Sequence, residues 1–324
     1  MKTPDISSES KSPRLVLITN GLRPLTYRFA ELQGNPIGIV SWYGAESGGL
    51  VKYIEKSRFL APLYARLRRR AYASLSHLCS ENNLLYANIQ KSQHRALHDI
   101  LASWKPDLVI TSGCPWVPVQ ALHATRFGGV NLHPSLLPAY RGADPLIWQV
   151  VDQVEYMGVS VHRLTEHYDA GSILAQHKEL RPHGAHRQEL LQRLEGEKGY
   201  ELLDSIVSQL KNSDNLIEEV QPDASPTSAA TKLSMHEIGR RWALDDLDAA
   251  CVWDILKYHD RCPDQWLALN GWRRFFSWKP VSLQYVTDHD FAHSSKCWSI
   301  RNDGPTILLM NKQAIIKLRA VYRG

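Results

Sequence analysis

Short apolar runs bounded by turn residues alternate with longer segments of helical periodicity along the first half of the chain. Such short runs predict buried strands, whereas apolar residues repeated every three or four positions predict amphipathic helices. The predicted strands cover residues 14–20, 35–43, 84–89, 107–111 and 128–132. The helices predicted between them cover residues 24–33, 49–80 and 92–104. Strands that alternate with helices predict an α/β fold with a doubly wound, parallel, Rossmann-like sheet.

The pattern continues beyond residue 132 and then changes. Residues 145–153 and 188–210 predict helices, and residues 157–164 and 172–180 predict strands. Residues 211–231 are rich in proline and small polar residues, which favours a linker or a strap across the surface.

The last part of the chain, residues 232–324, combines one predicted helix with short strands. The helix covers residues 246–258, and the strands cover residues 266–269, 275–283, 297–301, 307–310 and 314–321. Asn-Gly at 270–271 and Asp-Gly at 303–304 are turn signals typical of a small β-barrel. We therefore predict four parts: a disordered tail (1–13), an α/β domain (14–210), a linker (211–231) and a small barrel domain (232–324).

Composition narrows the class of protein without naming its ligand. The chain of 324 residues is 44% hydrophobic and 22% charged, which is typical of a globular protein. Its formal net charge of +5 is compatible with an anionic small molecule or a nucleic acid and selects neither. The five cysteines form no CxxC pair, and no apolar run reaches the roughly 18 residues of a membrane span. We therefore expect reduced thiols, a cytoplasmic location and no membrane partner.

Several nucleotide and metal sites are excluded by their missing motifs. No GxGxxG follows the first predicted strand, and no GxxxxGK[ST] occurs, which argues against a dinucleotide enzyme and a phosphate-loop NTPase. His162 and His167 lie five residues apart in a strand and loop segment, and this spacing does not indicate a metal site. We expect no metal.

The most informative segment is Asn131-Leu132-His133-Pro134-Ser135-Leu136-Leu137-Pro138-Ala139-Tyr140-Arg141-Gly142, which we call the signature loop. Asn131 and His133 are two residues apart at the end of a predicted strand, so their side chains project from the same side. Asp169 follows 36 positions after His133 in Tyr168-Asp169-Ala170-Gly171. Polar groups at the carboxyl ends of parallel strands are where open α/β sheets place ligands.

This constellation resembles the formyltransferase family that uses 10-formyltetrahydrofolate. The family's pattern is N-x-H-x-S-L-L-P, then R-G, then D-x-G about 35 residues later, and the chain matches it at Asn131, His133, 135–138, 141–142 and Asp169 with Gly171. The resemblance is dense over residues 106–176. It implies 10-formyltetrahydrofolate as cosubstrate, formyl transfer to an amine, and a small OB-like barrel at the C-terminus, where we predict the barrel domain.

Three catalytic roles follow from the chemistry of an amine that attacks a formyl group, and the resemblance implies the same roles. Asn131 would donate an amide N–H to the developing oxyanion. His133 would accept or relay a proton, because the ordinary pKa of histidine is close to the working pH. Asp169 would fix the tautomer of the imidazole and favour its charged form.

The resemblance also implies binding residues. The folate slot maps onto Cys114, Trp116, Val117 and Pro118 after the fourth strand, with Leu137 and Tyr168 beside it. For the acceptor we consider Arg141, Ser135 and Asn20. Arg141 would bind a phosphate of the acceptor or pair with a carboxylate, and the backbone around Ser135 would lie against the ligand. Two prolines and a tryptophan in 114–118 depart from the family's usual loop.

Three functions remain open from the sequence. The first is formylation of a small-molecule amine, above all an amino sugar carried on a nucleotide. The second is formylation of initiator methionyl-tRNA, and the third is hydrolysis of formyltetrahydrofolate or a non-catalytic folate-binding module. The arginine cluster at 66–70 is either a partner surface or a solvated helix face. A homodimer is left open.

Overall fold

A computed structural model describes residues 12–43, 74–90, 93, 95–123, 125–213, 215–267, 276–285, 298–303, 305–311 and 314–322. These residues form two compact units. The first contains the described residues up to Arg141, Gly158–Lys178 and the described part of Leu191–Ser228, and the second contains Gly142–Met157, Glu179–Leu190 and the described residues from Ala229. The division of the chain into domains at 14–210 and 232–324 stays a prediction.

A seven-stranded mixed sheet dominates the fold, with the order β3-β2-β1-β4-β5-β6-β7. Its strands are β1 Arg14–Thr19, β2 Asn35–Trp42, β3 Leu85–Ile89, β4 Leu108–Ser112, β5 Gly129–His133, β6 Tyr156–Arg163 and β7 Ile173–Leu180. Strands β1 to β5 pair in parallel, as the alternating pattern predicts. The chain therefore has the doubly wound topology of the prediction over its first five strands.

The expectation of a wholly parallel sheet is wrong at β6, which runs antiparallel to β5. Asn131 lies opposite His162 in this pair. Alternation of apolar and polar residues determines which side chains share a face of a strand, and it carries no information on strand direction. The antiparallel register brings a histidine of β6 beside the signature residues of β5.

The core of the first unit packs around the central strands. Val16, Ile18 and Val109 are fully buried, and Leu97 and Leu101 pack in the same cluster. The helices of this part are α1 Pro24–Arg28, α2 Leu75–Glu81 and α3 Ala96–Trp104. Helix α3 ends at Lys105, which has a left-handed φ of 51° immediately before Pro106. The spacing of four between Leu97 and Leu101 places both on the buried face.

The predicted helix at 188–210 is confirmed as a continuous helical stretch with an unusual centre. It consists of α5 Arg187–Leu191, the π-helical segment Gln192–Gly199 and α6 Tyr200–Asn212. Glu195 lies in the π-helical segment and is fully buried. Wider helical turns of this kind are frequent at functional sites.

The second unit contains helices and a small antiparallel sheet. Its helices are α4 Pro145–Val151, α7 Met235–Arg241, α8 Ala249–His259 and α9 Asp264–Leu267, and its strands are β8 Phe276–Tyr285, β9 Ser299–Asp303, β10 Thr306–Met310 and β11 Ala314–Tyr322. The order β8-β11-β10-β9 is antiparallel throughout. Within the described residues the structure shows this four-stranded sheet and not the closed barrel of the prediction.

Two local predictions in this unit need correction. The predicted strand at 266–269 is wrong where it is described, because Trp266 and Leu267 lie in helix α9. A short apolar run does not by itself distinguish a strand from a buried helical turn. Helix α7 was not predicted, although Ser234 and Glu237 form a capping box at its start, with the S-x-x-E spacing typical of that motif.

Some predictions concern residues that the structure does not describe. Most of the predicted helix at 49–80, including the arginine cluster at 66–70, lies outside the described residues. None of the helices that the structure describes has the length and apolar character that a membrane span requires.

Candidate active site

Three polar side chains meet at the end of strand β5. Asn131 and His133 project from the same side of β5, and Asp169 lies in the turn between β6 and β7 with a left-handed φ of 51°. One carboxylate oxygen, Oδ1 of Asp169, is 3.4 Å from Nδ2 of Asn131 and 3.7 Å from Nδ1 of His133. The structure thus brings together the three residues for which the sequence predicts catalytic roles.

The hydrogen bonds of His133 identify its tautomer. Its Nε2 lies 3.0 Å from the carbonyl oxygen of Tyr140, and a carbonyl only accepts, so Nε2 carries the proton. Nδ1 is then the basic nitrogen, and it faces Asp169. Burial lowers the pKa of His133 below its ordinary value of 6.5, while the Asp169 carboxylate opposes this shift. Burial therefore favours the neutral imidazole, whose basic nitrogen lies beside a carboxylate.

A second histidine, which the sequence analysis did not include in the site, completes the cluster. His162 on β6 has Nδ1 2.8 Å from the carbonyl oxygen of Arg163, so this nitrogen donates and Nε2 is the acceptor. Nε2 lies 3.1 Å from Nδ2 of Asn131 and 3.5 Å from Oδ1 of Asp169. The alternation along β6 is visible in the sequence, but its pairing with β5 is not. The sequence therefore gave no reason to join His162 to the signature.

The signature loop is held by two buried hydroxyl groups, those of Ser135 in the loop and Ser160 in β6. Ser135 is fully buried and donates to the carbonyl oxygen of Ala139 at 2.8 Å. Ser160 of β6 accepts from the backbone N–H of Leu137 at 3.1 Å, and the peptide bond between Leu137 and Pro138 is cis. The Ser135 side chain is thus used within the loop, and a direct role of its hydroxyl in substrate binding does not fit this arrangement.

Arg141 contacts the segment that the sequence predicts as a linker or strap. Its guanidinium donates to the side-chain oxygen of Gln221 and to the carbonyl oxygens of Pro222 and Asp223. The sequence predicts that Arg141 binds a phosphate of the acceptor or pairs with a carboxylate. The structure instead shows amide and carbonyl oxygens as its partners. The contacts favour a structural role for Arg141 in attaching residues 221–223, which we call the strap.

The predicted folate residues differ in their exposure. Val117 is buried in the core cluster of the first unit, and Leu137 is buried in the signature loop. Trp116 and Tyr168 expose 37% and 67% of their surface, so their rings remain accessible to a ligand. Pro118 is half-buried before a 3₁₀ turn. Asn20 is exposed immediately after β1, at the carboxyl edge of the sheet.

Cys114 follows β4, and its thiol is protonated at neutral pH. Burial raises the pKa of this thiol to about 12, although the nearby Arg23 acts in the opposite direction. A thiolate is the reactive form of cysteine. Cys114 can therefore contribute packing and not a nucleophile.

A buried ion pair lies where the strand order reverses, between β1 and β4. Arg23 donates through Nε to Oε2 of Glu195 at 3.0 Å and also contacts Oε1, while Ser112 lies 3.5 Å from Oε2. A Cβ atom on Gly113 would be only 2.2 Å from the Arg23 guanidinium, so a larger residue there would push the guanidinium away from this position. Open α/β sheets bind ligands at such reversals, which is the signal that could have identified this pair.

Among the described residues, no group of three His, Cys, Asp or Glu side chains has an arrangement suited to a metal ion.

Comparisons with known proteins agree with the signature. Residues 61–205 match the family model described as formyl transferase. The chain is 39% identical over 80 residues to a methionyl-tRNA formyltransferase of Chlorobium chlorochromatii, and 40% identical over 78 residues to a GDP-perosamine N-formyltransferase of Brucella melitensis biotype 1. These matches cover 25% and 24% of this chain, and only 26% and 30% of the two relatives.

Solved structures share the fold at low sequence identity. The chain is similar to WlaRD, a sugar 3N-formyl transferase crystallised in the presence of dTDP and 5-N-formyl-THF, with a TM-score of 0.58, 10% identity and coverage of 96% of this chain and 98% of that chain. HypX from Aquifex aeolicus in complex with tetrahydrofolic acid gives a TM-score of 0.53 at 14% identity, over 97% of this chain and 45% of that chain. Over residues 61–205 the chain is thus similar to the formyl transferase family.

Proposed function

We propose that the protein transfers a formyl group from 10-formyltetrahydrofolate to a primary amine, and that this amine belongs to an amino sugar carried on a nucleotide. The observation that carries the proposal is that Asn131 Nδ2 and His133 Nδ1 lie 3.4 and 3.7 Å from the same oxygen, Oδ1 of Asp169, at the end of β5. Such a cluster supplies the three functions that formyl transfer requires, which are an oxyanion donor, a base and a charge that stabilises the protonated base.

The reaction forms one carbon–nitrogen bond and breaks another. The amine nitrogen attacks the formyl carbon, and the carbonyl oxygen becomes an oxyanion. Asn131 donates Nδ2–H to that oxygen, and loss of one such donor typically lowers turnover by about 10² to 10³. The bond between the formyl carbon and N10 of the folate then breaks, and N10 takes up a proton while the amine loses one.

His133 moves this proton through Nδ1. Because Nε2 is bound to the Tyr140 carbonyl oxygen, Nδ1 is the atom available to accept the ammonium proton. The resulting imidazolium lies 3.7 Å from the Asp169 carboxylate, which stabilises the charge. The same nitrogen then returns the proton to N10 of the leaving group, directly or through water.

The residues proposed for folate binding fit a ligand with a flat ring and an apolar body. Trp116 and Tyr168 present exposed aromatic surface from the loops that follow β4 and β6. Val117, in the loop after β4, and Leu137, in the signature loop, are buried apolar residues. Aromatic and apolar walls with few polar groups are typical of small-molecule sites. Cys114 and Pro118 complete the proposed wall, and Asn20 stays a candidate for acceptor binding.

The acceptor distinguishes two versions of the proposal. A match at 40% identity over 78 residues to a GDP-perosamine N-formyltransferase supports the amino sugar. A fold shared with a sugar formyltransferase over 96% of this chain and 98% of that chain supports it as well. A match at 39% identity to a methionyl-tRNA formyltransferase supports initiator tRNA as the second candidate. We favour the amino sugar because residues 140–148 and 161–164 resemble the sugar enzymes. The OB-like nature of residues 232–324, a homodimer and a cytoplasmic location remain proposals.

The test is an acceptor panel that follows release of tetrahydrofolate. The purified protein would receive 10-formyltetrahydrofolate with nucleotide-linked amino sugars, charged initiator tRNA or no acceptor, and the Asn131→Ala variant would serve as control. We expect folate release that depends on an amino sugar and on Asn131. Release with tRNA alone would assign the second function, and release without any acceptor would indicate hydrolysis.

A further inference from the structure

The Asn131 carboxamide is contacted at both ends by residues of the neighbouring strands. Thr111 of β4 and His162 of β6 are the register partners of Asn131 in β5, so the three residues form one row across the sheet. The Thr111 hydroxyl lies 2.8 Å from Oδ1 of Asn131, and His162 Nε2 lies 3.1 Å from Nδ2. Thr111 and His162 are each only 1% exposed.

The hydrogen-bonding groups around Asn131 identify which end of its carboxamide is the nitrogen and which is the oxygen. His162 donates through Nδ1 to Arg163, so its Nε2 presents a lone pair and requires a donor. Asp169 Oδ1, 3.4 Å away, also requires a donor. Two acceptors therefore face one end of the carboxamide, and that end must be the nitrogen. The oxygen then points to Thr111, whose hydroxyl donates to it.

We propose that Thr111 and His162 are positioning residues that fix the orientation of the Asn131 carboxamide. One Nδ2–H is held by His162 at 3.1 Å, and the other, which has only the longer 3.4 Å contact to Asp169, is the N–H that turns to the reacting formyl group. This inference rests on the proposed formyl transfer and deepens it. A rotated carboxamide would direct its oxygen at the oxyanion and repel it, whereas the fixed one stabilises it without reorganisation. Both residues are buried, so they act through Asn131 and do not touch substrate.

Thr111 has a second acceptor, which gives a competing structural explanation. Its hydroxyl also lies 3.3 Å from the carbonyl oxygen of Val130, so it could serve only to satisfy the backbone of β5. A purely structural hydroxyl would affect stability whether or not Asn131 is present. A positioning hydroxyl loses its effect on turnover when the carboxamide is removed.

The experiment compares Thr111→Val with Thr111→Ser, using the acceptor that the panel identifies. We expect Thr111→Val to lower kcat about ten-fold with little change in KM, which is less than the roughly 10² to 10³ for complete loss of the donor. Thr111→Ser keeps the hydroxyl and should retain most of kcat. The matched control is Thr125→Val, which removes a hydroxyl that donates to the Leu122 carbonyl oxygen, and it should leave kcat unchanged. Equal kcat for Thr111→Val and wild type would overturn the role of Thr111.

A parallel pair tests His162. His162→Gln keeps an acceptor near Asn131 and should lose less turnover than His162→Phe, which has none. Equal turnover in both variants would exclude positioning by His162.

A double-mutant cycle separates positioning from structure. In an Asn131→Ala background, Thr111→Val should produce no further loss of kcat, because there is no carboxamide left to orient. A second, independent ten-fold loss in that background would show that Thr111 acts elsewhere, and would overturn the proposal.

An NMR measurement that does not depend on turnover distinguishes failure of this inference from failure of the proposed function. With ¹⁵N-labelled asparagine, the two Nδ2 protons of Asn131 should give separate, slowly exchanging NMR signals in the wild type. In Thr111→Val we expect these signals to broaden or shift. If the wild type shows no formyl transfer and the signals still respond, only the function is wrong. Unchanged signals in Thr111→Val would overturn the positioning role even in an active enzyme.

Discussion

Arg141 donates two hydrogen bonds, of 2.9 and 3.2 Å, to the side-chain oxygen of Gln221, 80 residues further along the chain. The amide nitrogen of the same Gln221 donates to the carbonyl oxygens of Asp169 at 3.0 Å and Gly171 at 2.6 Å. One buried side chain thus connects the end of the signature loop to the turn that carries Asp169. The strap therefore takes part in shaping the candidate active site.

The first prediction concerns this connection. Gln221→Ala removes the donor to two carbonyl oxygens and the acceptor of Arg141, and leaving buried groups unsatisfied costs about 1–3 kcal/mol each. We expect a fall of a few kcal/mol in the free energy of unfolding and a lower kcat, because the turn that holds Asp169 is loosened. Gln221→Glu keeps an acceptor for Arg141 but removes the donor to the turn. Denaturant unfolding and turnover of both variants, with the exposed Gln209→Ala as control, would check this; a stable Gln221→Glu with normal turnover would exclude the connection to Asp169.

The second prediction concerns the pH dependence of turnover. The pKa of His133 lies below 6.5 because it is buried, and the Asp169 carboxylate raises it against that shift. The base must be neutral to accept a proton, so kcat/KM should be constant near neutral pH and fall only below the lowered pKa. In Asp169→Asn the opposing carboxylate is lost, so this acidic limb should move to still lower pH. At the same time turnover at neutral pH should drop by orders of magnitude, because the imidazolium loses its partner.

Profiles of kcat/KM against pH for the wild type and Asp169→Asn would check this expectation. His133→Asn serves as the comparison, since it removes the titrating group and should remove the limb. A limb that moves to higher pH in Asp169→Asn would contradict the assignment of His133 as the base.

The prediction of the site from sequence succeeded for residues that are close along one strand and failed for those joined by pairing. Asn131 and His133 lie on one strand, so a period of two places them together without knowledge of the fold. Asp169 was found because its spacing follows a known pattern. His162 and Thr111 join the cluster through the registers of β5 with β6 and β4, which no local pattern encodes.

Prediction of the fold was limited in the same way, because local patterns do not encode long-range contacts. The strand bounds from β1 to β5 follow local apolar runs, and these predictions are confirmed within a few residues. The direction of β6 depends on how its connection returns to the sheet, and the contacts of Arg141 depend on the path of the strap. Both are long-range properties, and hydrophobic periodicity reports only which residues are buried.

The third prediction concerns the buried pair of Arg23 and Glu195. Glu195 is fully buried, and the Arg23 side chain is 16% exposed, so Glu195→Gln removes a buried negative charge beside the guanidinium. Replacing only one partner of such a pair typically lowers the free energy of unfolding by about 3–5 kcal/mol. Replacing both partners by apolar residues often leaves it unchanged. We expect Glu195→Gln to be strongly destabilised and Arg23→Met with Glu195→Leu to recover much of the loss. Urea unfolding of the three proteins would check this, and a double variant less stable than Glu195→Gln would contradict it.

The fourth prediction concerns His259 in the second unit, whose buried Nε2 has no hydrogen-bond partner. Burial and the charge of Arg187 lower the pKa of His259 from 6.5 to about 4. The unfolded chain therefore binds a proton below pH 6.5 that the folded chain excludes until about pH 4, so this group makes stability fall as the pH decreases through that window. At about 1.4 kcal/mol for each pKa unit, the loss between pH 8 and pH 5 is at most roughly 2 kcal/mol. His259→Phe should flatten this slope, whereas His98→Gln, at an exposed position, should not. Free energies of unfolding from urea titrations at pH 5, 6, 7 and 8 would check the difference, and equal slopes for the wild type and His259→Phe would refute it.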